Sequence, residues 1–236
     1  DTFKFDDNEL MGSLSPLVFD IYSFELCMLM AKSSTLVVIP EHLSAFPASI
    51  LKILEEHKVT FLFWVPTIMV NIANMDLLSS IQLPALKTVW FAGEVFPTKQ
   101  FNYWRKMLPQ TTFANLYGPI EITLDCTCFI VNREIKDEES IPIGFPCRNT
   151  DILILDADNK LVTEAGKEGE LCVRGTSLAM GYYNNPEKTA SAFVQNPLNH
   201  AYPETIYRTG DVVVINERGE IVFKGRKDTL IKHMGY

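Results

Sequence analysis

From residue 35 to residue 117 this chain alternates short runs rich in β-branched and aromatic residues with segments of helical period. No other feature restricts the fold as much. "TLVVIP" (35–40) is a β-branched run closed by Pro40 and suits a buried strand. "SAFPASILKILEEHK" follows, with Ile50, Leu51, Ile53 and Leu54 on one helical stripe and Ser44 as its expected cap. "VTFLFWV", "LKTVWFAG" and "TFANLYG" read as strands; "PTIMVNIANM", with Pro66 in its first turn, and "TKQFNYWRKML" read as helices. Strict alternation implies right-handed crossovers and a mostly parallel sheet with covering helices.

After residue 125 the pattern changes. "DCTCFIV", "TDILILDADNKLV", "GELCVRG" and "DVVVINERGEIVFKG" are strands, with hairpin signals at Asp158-Asn159 and Glu217-Arg218-Gly219. One helix is expected there, in "NNPEKTASAFV", capped by Asn184 or Asn185 with Pro186 early in it. The fold class is therefore α/β: a mostly parallel, helix-covered subdomain over 1–125, then a mainly antiparallel, β-rich, barrel-like subdomain over 126–224.

Composition removes several functions. A net charge of −8 and a pI near 5.1 argue against a nucleic-acid surface. Five scattered cysteines do not form a disulfide framework, and no Cys/His cluster completes a zinc site. No stretch reaches the ~18 apolar residues of a membrane span. The opening residues carry no signal-peptide pattern, so a cytoplasmic location is expected. "DTFKFDDNEL" has no initiator methionine and "IKHMGY" stops abruptly, so these residues are expected to be a piece of a longer protein.

Parallel sheets bind ligands where strands end, and unusual residues fall at such ends. In "FAGEVFP" the pair Ala92-Gly93 would let a flat ring approach the backbone, although taken alone the segment reads more simply as a plain strand-to-helix turn. "NLYGPIEIT" (115–123) offers the amide of Asn115, the ring face of Tyr117, a turn at Gly118 and the carboxylate of Glu121, a hard ligand suited to Mg²⁺. Alone, it is a tyrosine packed on a turn beside a solvated acid. "YRTGD" (207–211) puts Asp211 after a turn glycine, where its carboxylate could accept both hydroxyls of a ribose or merely open a strand. "GRKD" (225–228) adds the donor fork of Arg226.

In this order the segments resemble the adenylate-forming enzymes, and among them the amino-acid adenylation domains of nonribosomal peptide synthetases and the D-alanine–carrier protein ligases. "FDIYSFE" is similar to that family's FDxSxxE, "NLYGPIEIT" to its NxYGPTExT and "GELCVRGTSLAMGYYNNPEKT" to its GELxIxGxxLARGY. "YRTGD" matches outright, and "GRKDTLIKHMGY" resembles GRxDxQIKxxGY. The resemblance covers essentially the whole chain. It implies ATP-dependent activation of an amino acid as an acyl-adenylate, with Mg²⁺, followed by thioester formation on the phosphopantetheine of a carrier protein.

By that resemblance Tyr117 stacks on adenine beside the Gly93 backbone, Asn115 bonds its amino edge, Glu121 holds Mg²⁺, Asp211 grips the ribose and Arg226 adds a nucleotide contact. Glu121 and Arg226 are the implied catalytic residues. Asp20 would face the substrate's ammonium, a cationic partner that suits a costly buried carboxylate; read plainly, it is an acid at a helix start. The implied side-chain pocket comprises Ile21, Phe24, Phe63, Trp90, Ala92, Leu116, Leu124 and Asp125, mostly apolar. Residues 225–236 would begin a hinge, at Asp228, toward a further subdomain.

Three positions depart from the family pattern. Ile120 replaces a threonine near the phosphates, a loss worth roughly 1.5–3 kcal/mol if that hydroxyl bonds a charged group. Met180 replaces an arginine and Leu230 a glutamine. The family's phosphate-binding loop has no counterpart here, and Lys232 follows the hinge too closely to be its catalytic lysine, so these residues alone are expected to be impaired. A noncatalytic nucleotide- or carrier-binding relative and an acyl- or aryl-CoA ligase remain alternatives. No GxGxxG opens a helix, which disfavours a dinucleotide-dependent oxidoreductase.

Overall fold

The computed structural model describes residues 3–227. These form two compact units: residues up to 115 together with 130–141, and 116–129 together with residues from 142 onward. The expected hinge residue Asp228, and with it Leu230 and Lys232, lies outside the described residues.

The first unit contains β1 (Leu10–Ser13), α1 (Asp20–Lys32), β2 (Thr35–Val38), α2 (Pro47–Glu56), β3 (Phe61–Trp64), α3 (Pro66–Asn74), β4 (Thr88–Phe91), α4 (Thr98–Met107) and β5 (Thr112–Tyr117), whose last two residues pass into the second unit. Its strands run parallel in the order β2-β1-β3-β4-β5. Every residue of β3, "FLFW", is buried, as expected of a parallel strand covered on both faces. Ile50, Leu51 and Leu54 of α2 are buried, so its apolar stripe faces the core. Two indoles are locked by backbone acceptors: Trp104 Nε1 donates to the Met69 carbonyl (2.8 Å) and Trp64 Nε1 to that of Gly12 (2.9 Å).

The first half of the chain contains one further strand, β1, and one expected cap is corrected. β1, "LMGS", is too short and too mixed to show a period, yet it occupies an interior place in the sheet. Ser44 does not cap α2. It lies in a 3₁₀ turn (Glu41–Ala45), where its hydroxyl bonds the Glu41 carbonyl, and Phe46 takes the cap position before Pro47. Pro47 removes one of the N–H groups a cap would serve, and the Phe46 carbonyl accepts those of Ser49 and Ile50, so α2 starts without a side-chain cap.

Glu25 is the first unit's chemical anomaly. Its carboxylate is almost fully buried on α1 and accepts the Ser13 hydroxyl at 2.6 Å. Burial, partly countered by that bond, raises its pKa to about 7. A carboxyl whose folded pKa lies above its unfolded value holds an extra proton between the two, so stability falls as pH rises from about 4.5 to about 7 and is level above that. Glu25→Gln, which keeps the shape and the Ser13 bond, should therefore stabilise the protein at pH 8 by on the order of 2 kcal/mol and by almost nothing at pH 4. Urea melts at the two pH values check this; equal effects at both would refute it.

The second unit holds β6 (Thr127–Ile130, its last residue in the first unit), β7 (Phe145–Pro146), β8 (Thr150–Leu155), β9 (Glu168–Gly175), α5 (Pro186–Ala192), β10 (Phe193–Gln195), β11 (Thr205–Ile215) and β12 (Ile221–Arg226). β6 and β7 pair antiparallel, and β10-β11-β9-β8, with β12 on β11, form a second antiparallel sheet. Its core gathers Ile122, Ile154, Leu171, Val173, Tyr207 and Val213, among others. Both hairpin signals are explained by side chains. Asp156 Oδ1 accepts from the N–H groups of 158 and 160, with Asn159 at φ +60°; Asn216 Oδ1 accepts from those of 218 and 220, with Gly219 at φ +75°. Asn185 caps α5 by accepting from the Lys188 N–H. That helix ends at Ala192; Phe193 and Val194, expected to extend it, instead join Gln195 in a strand that pairs with β11. The five cysteines are free thiols, and burial raises the pKa of Cys147 to about 11 and of Cys128 and Cys172 to about 12. Among the described residues no helix is long and apolar enough to cross a membrane.

Candidate functional site

In the second unit, Tyr117 and Glu121, from one short segment, converge with Asp211 and Arg226, from some ninety or more residues further on. The carbonyl of Tyr117, the last residue of β5, accepts the Cys126 N–H at 2.8 Å, which closes the loop between them. The Tyr117 hydroxyl donates to Asp211 Oδ2 at 2.5 Å, and Arg226 Nη1 lies 3.3 Å from Asp211 Oδ1. Asp211 and Arg226 are register partners on β11 and β12, and irregularities in both ladders flank Asp211. Burial foremost, then the charge of Asp211, hold the Tyr117 phenol well above its usual pKa, so it remains a donor.

Gly118 is required here by space. A Cβ on it would lie 2.0 Å from the Leu124 carbonyl oxygen and 2.6 Å from the Asp125 Cα. The opposing backbone is itself unusual: Thr123 and Leu124 have φ of +61° and +71°. Positive φ is rare for any residue with a side chain and rarest for a β-branched one, and such strain concentrates at functional sites. The Thr123 hydroxyl ties this turn to the Ser177 carbonyl at 3.0 Å, and the Ala179 N–H donates to the Glu121 carbonyl at 2.7 Å.

Glu121 sits in a 3₁₀ turn (Ile120–Ile122), half-buried. Its Oε1 accepts the Tyr182 hydroxyl at 2.6 Å, and that hydroxyl lies 3.4 Å from the Tyr207 hydroxyl. Burial raises both phenol pKa values, with Glu121 adding to each. Lys188 Nζ stands 4.2 Å from the centre of the Tyr182 ring, a cation–π contact. Tyr182, Tyr207 and Glu170 are the site residues that the sequence reading passed over. All three lie inside the motif segments, and Glu170 had a signal, since it is an acid beside the apolar run Leu171–Val173. Ile120 is exposed, and Met180 entirely so.

Gly93 (φ +88°) follows the end of β4, and Asn115, buried on β5, is the register partner of Phe91 across that pair. The two therefore occupy neighbouring strand ends of the first unit. Asp20 opens α1, with Phe19 at the cap, and Ile21 and Phe24 follow on the same helix. Phe24, Phe63 and Trp90 form one aromatic cluster, with ring centres 5.1–5.6 Å apart. Phe3, Phe5 and Phe61 join it at Trp90, whose buried indole N–H finds no acceptor among the described residues. Ala92 is buried one residue past Phe91. Leu116, Leu124 and Asp125 belong to the second unit.

The sequence profile for AMP-binding enzymes matches residues 1–183. The chain belongs to the AMP-binding enzyme family. Within it, the chain is 32% identical over 226 residues to zwittermicin A synthase ZmaJ of Bacillus cereus, covering 94% of this chain and 42% of ZmaJ. It thus spans about two fifths of that relative's length. Two solved structures are similar. One is the Vibrio cholerae adenylation domain AlmE in complex with glycyl-adenosine-5′-phosphate (TM-score 0.87, 27% identity, 99% of this chain and 43% of that one). The other is PA1221, a nonribosomal peptide synthetase protein with adenylation and carrier-protein domains (TM-score 0.89, 25% identity, 100% and 40%). AMP-binding enzymes of the adenylation type are therefore the relatives of this chain, and the parallel, helix-covered sheet followed by an antiparallel one is their fold.

Proposed function

We propose that the protein containing this chain activates an amino acid with ATP as an aminoacyl-adenylate and passes it as a thioester to a carrier protein's phosphopantetheine. The convergence of Tyr117, Asp211, Arg226 and Glu121 carries the reading. It supplies an aromatic ring, an acceptor for vicinal hydroxyls, a guanidinium and a carboxylate on one framework, which is what an adenosine monophosphate group beside a metal requires. The ligand of AlmE, glycyl-adenosine-5′-phosphate, and the carrier domain of PA1221 support the same chemistry.

In this reading Tyr117 and the Gly93 backbone take adenine, Asn115 its amino edge and Asp211 the ribose, with Arg226 beside them. Glu121 fits a Mg²⁺ that draws its other ligands from phosphate and water. It is one carboxylate with one lone-pair site given to Tyr182, and among the described residues no cluster of three His, Cys, Asp or Glu could cage a metal. Such an ion would screen the charge between carboxylate and phosphate. Asp20 would meet the substrate's ammonium, with Ile21, Phe24, Phe63, Trp90, Ala92, Leu116, Leu124 and Asp125 facing its side chain. Residues 1–125 would carry the substrate and adenine side, 126–224 the ribose side, and 225–236 the start of a hinge.

Pyrophosphate exchange by the full-length protein, screened over L- and D-amino acids, tests this: exchange above background with one or a few amino acids is expected. The exposed apolar side chains of Ile120 and Met180, which stand where the resemblance places a hydroxyl and a guanidinium, favour one second reading. This is a relative that binds the nucleotide without performing chemistry. Tight AMP binding with no exchange for any amino acid would select it.

A further inference from the structure

Glu170 is a buried carboxylate on β9 that the assignments above leave without a role. Its Oε2 accepts Arg208 Nη1 at 2.6 Å and Lys227 Nζ at 2.9 Å, and its Oε1 accepts the Gly210 N–H at 3.2 Å. Arg208, Gly210 and Lys227 bracket the two ribose-side candidates, since Asp211 follows Gly210 and Arg226 precedes Lys227. The same turn is held from its other sides. The Thr209 hydroxyl donates to the Leu171 carbonyl (2.7 Å) and accepts the Asp211 N–H (3.0 Å), and the Lys227 N–H donates to the Gly210 carbonyl (2.8 Å). Gly210 has φ +73°, a conformation that pairing along the ladder alone does not maintain.

We propose that Glu170 is the positioning residue of the ribose site: by clamping β11 and β12 through Arg208, Gly210 and Lys227, it sets where the Asp211 carboxylate and the Arg226 guanidinium stand. The cost of burying an acid here is offset by two cations and a backbone donor, the condition under which a buried charge is retained. A carboxylate is required because only acceptors, on both oxygens, can serve three donors at once. A glutamine that keeps the Gly210 bond through Oε1 presents its N–H₂ group to both cations, Arg208 and Lys227. Asp211 has a register partner on β12, Arg226, but on the β9 side the ladder shifts between Arg208 and Val212, so on that side the side-chain anchors of Glu170 take the place of regular pairing.

The inference rests on Asp211 being the ribose acceptor, and the test separates the two ideas. Calorimetry on the full-length protein compares AMP with 2′,3′-dideoxy-AMP. The wild type should prefer AMP, and Asp211→Ala should erase the preference. Glu170→Gln should weaken AMP binding about tenfold and leave dideoxy-AMP within about twofold, so that discrimination falls although Asp211 is intact. If Glu170→Gln does not fold, Lys227→Gln, which changes a half-exposed side chain, should still lower the preference about threefold. Unchanged discrimination in the folded variants, or equal weakening of both nucleotides, overturns the positioning role. A wild type indifferent to the ribose hydroxyls overturns the ribose reading itself, and this inference with it.

Discussion

Asp211→Ala is expected to weaken AMP binding about a hundredfold. The carboxylate is the acceptor that a ribose diol would meet, and hydrogen bonds to a charged group are worth ~1.5–3 kcal/mol each. In the structure this side chain already accepts the Tyr117 hydroxyl and pairs with Arg226, so its removal also leaves a buried phenol and a guanidinium without their shared partner. Two ribose bonds would not be fully additive, because they exchange against those internal ones, which sets the estimate at ~3 kcal/mol. Asp211→Asn should fall between the two, since an amide retains one acceptor. Calorimetry with AMP checks the series, and a loss below about threefold for Asp211→Ala would show that this carboxylate does not hold the nucleotide.

Gly118→Ala is expected to cost about 3 kcal/mol of stability and most of the nucleotide affinity. The added methyl would sit 2.0 Å from the Leu124 carbonyl oxygen and within 3 Å of the backbone at 124–125, so a peptide segment and not a flexible side chain must move. That segment already has two residues at positive φ and has little room to relax. Gly12→Ala gives the contrast. Its Cβ would meet only the tips of Leu62, Leu54 and Val59 side chains, at 2.8–3.3 Å, which can repack for about 1 kcal/mol. Denaturant melts of the two variants decide it; equal costs would mean that the close backbone approach at 118 is not a constraint.

The sequence was most legible where local chemistry and burial agreed. "FLFWV", "LKTVWF" and "TFANLY" are strands because runs of that composition can be buried on both faces, and Pro66 and Pro186 mark helix starts because of their fixed φ. It was least legible where a short segment takes its form from its neighbours. "LMGS" has no period of its own and is a strand because β2 and β3 supply its partners. "FV" (193–194) continues a helical pattern yet pairs with β11, a case of tertiary override of local propensity. Ser44 looked like a cap, but it belongs to the 3₁₀ turn Glu41–Ala45, and the helix starts only at Pro47.

The order of Tyr117, Glu121, Asp211 and Arg226 along the chain, the turn glycines beside them and the family they belong to were all present in the linear sequence, because motifs record residue type and spacing. What pairs with what was not. That the Tyr117 phenol donates to Asp211, that Tyr182 holds Glu121, and that Glu170 serves Arg208, Gly210 and Lys227 together depend on β9, β11 and β12 lying side by side. Hydrogen bonds act over about 3 Å, and only the folded chain brings residues separated by scores of positions that close.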